Sequence, residues 1–271
     1  MKIKEAVRAL ELFAPLPLQE SYDNAGLQIG LTERELSGAL LCLDVTEETV
    51  AEAVAKGCNL IVAHHPLLFR GLKCVSDADY VQRTVRAAIR ADVAIYAAHT
   101  NLDNARGGVN FRAAEMLGLQ GADFLRPLPG VEGGSGVVGD LPEAVGTEAF
   151  LNIIRSAFGV ERIEANLAQP AAIRRVAFCG GAGDFLIDDA VRAGADAFVT
   201  GEVGYTTSSA TTTNCLSAPW ATTTASGTPP PCCVTSCAPP VPVSPCYLPK
   251  GAGRQETSEP PPFQANKQQN Q

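Results

Sequence analysis

Two stretches of this chain align residue for residue without a gap. Ala53-Val-Ala-Lys-Gly-Cys-Asn-Leu-Ile-Val-Ala-His-His65 matches Ala190-Val-Arg-Ala-Gly-Ala-Asp-Ala-Phe-Val-Thr-Gly-Glu202. Each reads as a helix end, a glycine placed to stop the helix, and a short apolar run with strand character. Upstream, the apolar run 40–43 is echoed by 175–179. A repeat of this kind predicts an α/β fold of two similar halves facing each other. Any two helix–glycine–strand units share these features, so the alignment alone leaves coincidence open. If the halves are related, Glu202 stands where His65 stands in the first.

Around this repeat, strands and helices alternate. Leu40–Asp44 reads as a buried strand, Glu47–Lys56 as a helix ended by Gly57, and Leu60–Ala63 as the next strand. Tyr80–Ala91 has helical spacing and is followed by a strand over Val93–Ala97. Such alternation predicts a largely parallel sheet, in which functional residues gather at the carboxyl ends of strands. Residues 1–123 form the first half on this reading and 124–170 a connecting segment. Within the connector, Gly130–Gly139 reads as a loop and Glu148–Phe158 as a short helix. Residues 171–205 form an incomplete second half.

All three histidines of the 271-residue chain fall at predicted strand ends. His64 and His65 close one apolar run, and His99 closes the next, with Asp103 four residues on. Successive side chains on a strand point to opposite faces, so His64 and His65 can each serve a different ion. Asp103, with two oxygens, can bridge them or bind one. Two ions about 3.5–4 Å apart can share a hydroxide and clamp a displacement. Imidazole and carboxylate donors suit zinc, iron, manganese or nickel, and spacing does not choose among them. The alternative is a pair of ordinary histidines in a polar loop. His99 is read outside the primary ligand set. It can orient a water, shuttle a proton or contact substrate, or simply bond a loop carbonyl. Cys179-Gly-Gly-Ala-Gly183 joins a strand to a helix, as a phosphate cradle or a plain tight turn. Asp23-Asn24 can cap a helix or line the cleft.

The net charge of −8 argues against a nucleic-acid partner, which needs a basic face. No apolar run is long enough to span a bilayer, and the charged amphipathic start is unlike a signal peptide. These features predict a cytoplasmic protein without a membrane partner. Of the nine cysteines, Cys42, Cys58, Cys74 and Cys179 lie in apolar segments and read as small buried residues. The other five lie after Tyr205 in a spacing that matches no zinc pattern.

After Tyr205 the chain changes character. From Val203 to Pro249 there is no charged residue, and twelve of the nineteen prolines follow Tyr205. Prolines this dense forbid helix interior and central strand alike, which predicts a disordered tail over 206–271. A loss of one nucleotide after the Tyr205 codon accounts for the change. In the shifted frame Trp220-Ala221 forces glycine at 221, and one choice of the free bases makes 221–226 read Gly-His-Tyr-Asp-Ser-Glu. Many other strings are allowed, and the forced glycine is the fixed point.

Five motifs, Tyr22-Asp-Asn-Ala-Gly-Leu-Gln28, Ala63-His-His-Pro66, His99-Thr-Asn-Leu-Asp103, Cys179-Gly-Gly-Ala-Gly183 and Thr200-Gly-Glu-Val-Gly-Tyr205, resemble those of the Nif-three-like (NGG-interacting factor three) family. The resemblance covers roughly residues 1–205. It implies a homohexamer, a cyclohydrolase-type hydrolase acting on a nucleotide or another small heterocycle, and two divalent metal ions per subunit. It implies His64, His65 and Asp103 as ligands, together with a later Gly-His-x-x-x-Glu. That last motif exists only in the shifted frame, so the chain as translated carries three of the five ligands and is expected to be metal-deficient. A non-catalytic metal-binding scaffold or partner-binding oligomer is the competing expectation.

Overall fold

A computed structural model describes residues 1–160, 162–165 and 172–202, together with the backbone of two short strands at 216–219 and 246–247. The first half runs α1 (Ile3–Phe13), β1 (Gly26–Ile29), β2 (Ala39–Cys42), α2 (Glu47–Ala55), β3 (Leu60–Ala63), α3 (Tyr80–Ala91), β4 (Ala94–Ala97), α4 (Thr100–Asp103) and α5 (Val109–Met116). The second runs β5 (Gln120–Pro127), β6 (Gly134–Val145), α6 (Thr147–Phe158), β7 (Ile173–Ala182), α7 (Ile187–Arg192) and β8 (Ala197–Glu202). β9 (Leu216–Pro219) and β10 (Cys246–Tyr247) follow. There are two mixed sheets, ordered β1-β4-β3-β2-β10 and β5-β6-β7-β8-β9. In the first sheet β1 alone runs antiparallel to its neighbour; in the second, β5, β6 and β7 are antiparallel and β7, β8 and β9 parallel.

The first sheet is buried on both faces, which explains its unbroken apolar strands. Leu40, Ile61 and Ile95 pack beneath α2 and α3 with Val50 and Ala88. Their neighbours Leu41, Val62 and Tyr96 pack on the other side with Ile3 and Val7 of α1 and Val109 of α5. This alternation is the two-residue period of a strand. α5 joins the halves, because its Phe111, Ala113 and Ala114 belong to the core of the second sheet with Val137, Val176 and Val199.

The two halves repeat each other in detail. Gly57 and Gly194 both have φ of 70°, a left-handed conformation that glycine adopts without steric cost. Cys58 N donates to Ala53 O at 2.8 Å, and Ala195 N to Ala190 O at 3.0 Å, so both helices close with the same long C-terminal bond. The registers agree too: Ala39 faces Leu60 across β2–β3, and Val176 faces Ala197 across β7–β8. One offset along the chain relates every one of these pairs.

Some expectations need correcting. Residues 124–170, expected to connect the halves, supply the end of β5 and all of β6 besides the expected helix, α6. The run Gly130–Gly139 is a loop only up to Gly133, where β6 begins. A Cβ at Gly134 would lie 2.6 Å from Arg126 O, and one at Gly136 would lie 3.0 Å from Phe178 O. These glycines let strands approach closely. Cys74 is exposed, unlike the buried Cys58 and Cys179. The tail over 206–271 lies outside the described residues except for the backbones of β9 and β10. No helix among the described residues is long and apolar enough to cross a membrane.

Candidate metal centre

β3 and β4 are parallel neighbours, with Ala63 facing Ala97. Their carboxyl ends therefore deliver His64, His65 and His99 to one place. The ring centroids lie 5.1 Å apart for His64 and His65, 5.2 Å for His64 and His99, and 5.7 Å for His65 and His99. One nitrogen from each lies within 4.8 Å of the others, close enough for the three to hold one ion. His99 thus belongs to the cluster more directly than sequence reasoning placed it.

Each ring is fixed through Nδ1. His64 Nδ1 lies 2.9 Å from Ala98 O, His65 Nδ1 2.8 Å from Asp44 Oδ1, and His99 Nδ1 2.7 Å from Asp23 Oδ1. The partners are a carbonyl and two carboxylates, which only accept, so Nδ1 donates in all three. In a neutral ring this leaves Nε2 with its lone pair free. The loop-carbonyl partner expected as one alternative for His99 belongs to His64. Of the two sequence readings of Asp23, the capping one holds: its side chain is buried and does not line the cleft, and its other oxygen accepts from Thr100 N at 3.1 Å and from the Thr100 hydroxyl at the start of α4 while it aims His99.

Electrostatics favour an uncharged imidazole at the floor of the site. Burial, then the neighbouring His99 and His65, bring His64 down to about 3. Burial, then the Asp23 charge, overcomes the pull of His99 and raises Asp103 to about 7. Burial also works to raise Asp23, but the hydrogen bonds from His99 and Thr100 win and hold it at about 2. The hydrogen bond from His65 lowers Asp44. Asp103 Oδ1 stands 3.9 Å from His64 Nε2, too far for a hydrogen bond. An ion at about 2 Å from each donor would span that gap.

The cleft has a volume of about 310 Å³ and takes walls from both halves. The first contributes Glu20, Tyr22, the histidines and Asp103; the second contributes Phe178, Cys179 and residues 180–182 at the end of β7, with Phe185 and Glu202. Asn110, buried in α5, clasps the two: its Nδ2 donates to Asp103 O at 3.0 Å and its Oδ1 accepts from Gly180 N at 2.8 Å. The 179–183 segment, the end of β7 and the residue after it, is tied to β8 rather than open as a cradle, with Gly183 N donating to Thr200 Oγ1 at 2.9 Å. Asp44 and Asn110 escaped sequence reasoning as site residues, and so did the bond between Asp23 and His99, because the partners are neighbours only in space.

Fold and site define a two-sheet α/β protein with an imidazole-lined cleft between its halves. The pattern of the Duf34/NIF3 (NGG1p interacting factor 3) family matches residues 1–218, and the chain belongs to that family. The GTP cyclohydrolase 1 type 2 homolog of Clostridium perfringens is 34% identical over 206 residues, which are 76% of this chain and 79% of that protein. The protein of the same name from Lactococcus lactis is 36% identical over 210 residues, again 76% and 79% of the two chains. Among solved structures, a Bacillus cereus protein related to NIF3 superposes with a TM-score of 0.75 at 25% identity, over 82% of this chain and 88% of its own. A Staphylococcus aureus hypothetical protein gives 0.75 at 28% identity, over 82% and 86%.

Proposed function

We propose that this chain binds divalent metal at the cleft through His64, His65 and Asp103, with His99 beside them, and hydrolyses a nucleotide or another heterocycle in the manner of a cyclohydrolase. The observation that carries this reading is the three rings anchored at Nδ1 and gathered so that one nitrogen of each lies within 4.8 Å of the others. Outer partners of this kind orient metal-binding imidazoles. Bound ions supply a hydroxide nucleophile near neutral pH and charge to balance a developing oxyanion. His64, kept neutral by burial, and His65 would be the imidazole donors. Asp103 gives up its proton on binding. His99, aimed by Asp23, moves a proton between water and the leaving nitrogen. Glu202 stands across the cleft.

The last two ligands belong to the shifted reading frame. As translated the chain keeps three ligands, and a two-ion site without its closing groups binds weakly. Zinc, iron, manganese and nickel all suit the donors.

The test is turnover of GTP, guanosine and a pterin by the full chain loaded in turn with each metal. Metal-dependent ring opening, lost in His64→Ala, is expected. Bound metal without turnover for any of the four moves the reading to a non-catalytic metal-binding oligomer.

A further inference from the structure

Four large aromatic side chains are well exposed among the described residues, and three of them stand at this one cleft. Tyr22 and Phe185 line it from opposite halves. Phe69 packs against Tyr22 with centroids 6.5 Å apart, and meets His99 edge-on at the same distance. Phe185 is held in place: the Arg126 guanidinium sits 5.2 Å from its ring centroid, and Arg126 Nη2 donates to Phe185 O at 2.8 Å. Asp189 in turn fixes Arg126 through Nε at 2.8 Å. Rigid aromatic surface left in water around a concave site offers stacking to a flat ligand.

The charge of the cleft narrows the ligand further. Glu20, Asp103 and Glu202 line it, and no lysine or arginine does among the described residues. A polyphosphate would meet acids without a cationic partner. The volume of about 310 Å³ lies at the low end for small-molecule sites, roughly 300–1,000 Å³, enough for a fused ring and little more.

We propose that Tyr22, Phe69 and Phe185 form the recognition rim of the cleft, and that the rim takes a flat, uncharged heteroaromatic ring, as free base or nucleoside, in preference to a nucleoside triphosphate. This deepens the cyclohydrolase reading by naming its substrate class, and it rests on that reading for the reaction but not for the binding.

Calorimetric titration of the full chain with guanosine, adenosine, a pterin and GTP tests it, in EDTA and again with zinc, so that the pull of metal on phosphate is separated. A ring compound is expected to bind in EDTA at least about 10-fold more tightly than GTP. Tyr22→Ala and Phe185→Leu should each weaken it about 10-fold, with Tyr22→Trp restoring affinity and the metal content of every variant unchanged. Tighter binding of GTP in EDTA, indifference to both rim variants, or no binding by any ring compound would overturn the proposal. A metal-loaded chain that ignores all the ring compounds sinks the rim alone. A chain that binds them but never metal sinks the metal reading and leaves the rim standing.

Discussion

The two halves share one backbone plan and differ in what stands at the strand ends. Where β3 runs into His64 and His65, β8 ends in Gly201 and Glu202. The second half has no room for an imidazole there: a Cβ at Gly201 would lie 2.7 Å from Gly181 O and 3.1 Å from Gly181 Cα. Asp44, which aims His65, has Gly181 as its counterpart. The fold is thus common property, and the chemistry is set by a few residues beyond the last apolar position of each strand. One half brings donors and their anchors; the other brings a close-packed glycine wall, a buried thiol and an acid.

The comparison can be broken in several places. The largest effect is expected from His64→Ala combined with His65→Ala. Metal affinity should fall more than about 100-fold, while metal-free stability changes by about 1 kcal/mol, read by metal analysis and urea unfolding. Next is Gly201→Ala in the second half, which forces a side chain against the Gly181 backbone. A loss of about 1–3 kcal/mol in urea unfolding is expected, and an unchanged midpoint would mean the two strand ends are not so different. Asp23→Asn keeps the shape but removes the charge that aims His99. A 10- to 100-fold loss of metal affinity or turnover is typical for such an anchor.

Smaller effects sharpen the same contrast. Metal affinity should rise with pH up to about 7 and then level, because Asp103 must lose its proton to bind. His64, neutral above about 3, adds no slope in that range. The steepest part approaches about tenfold per pH unit, measured by competition with a chelator. Asp23 acts on folding instead, and its shift runs the other way. Its depressed pKa gives stability that is present above the ordinary carboxylate range and lost as pH falls through about 2. The smallest effect, and the one that tests sameness, is Gly57→Ala against Gly194→Ala. Neither Cβ would touch anything within 4 Å, so each should cost only the left-handed strain, about 1–2 kcal/mol, and the two should match.

Much of this was legible in the chain. The helix over Tyr80–Ala91 is bounded by its own signals: Asp79 caps it by accepting from Gln82 N at 2.8 Å, and Asp92 turns left-handed at its end. The histidines announced themselves because the strands before them are wholly apolar. β1 was hidden inside the Tyr22–Gln28 motif, and β6 behind glycines whose purpose is to admit a neighbouring strand. Membership of His99 in the cluster was hidden as well. The Asp23 carboxylate that aims it comes from a loop 76 residues earlier, and only the fold brings the two to 2.7 Å.

The central claim is that the imidazoles of the first half make the cleft a metal site. Its most direct test is the metal content of the purified full chain after equilibration with zinc, manganese, iron or nickel at neutral pH, set beside His64→Ala/His65→Ala. The account predicts bound metal that the double variant loses, and more of it in a chain whose 221–226 reads Gly-His-Tyr-Asp-Ser-Glu. No retained metal in either chain, or equal metal in the double variant, would contradict it.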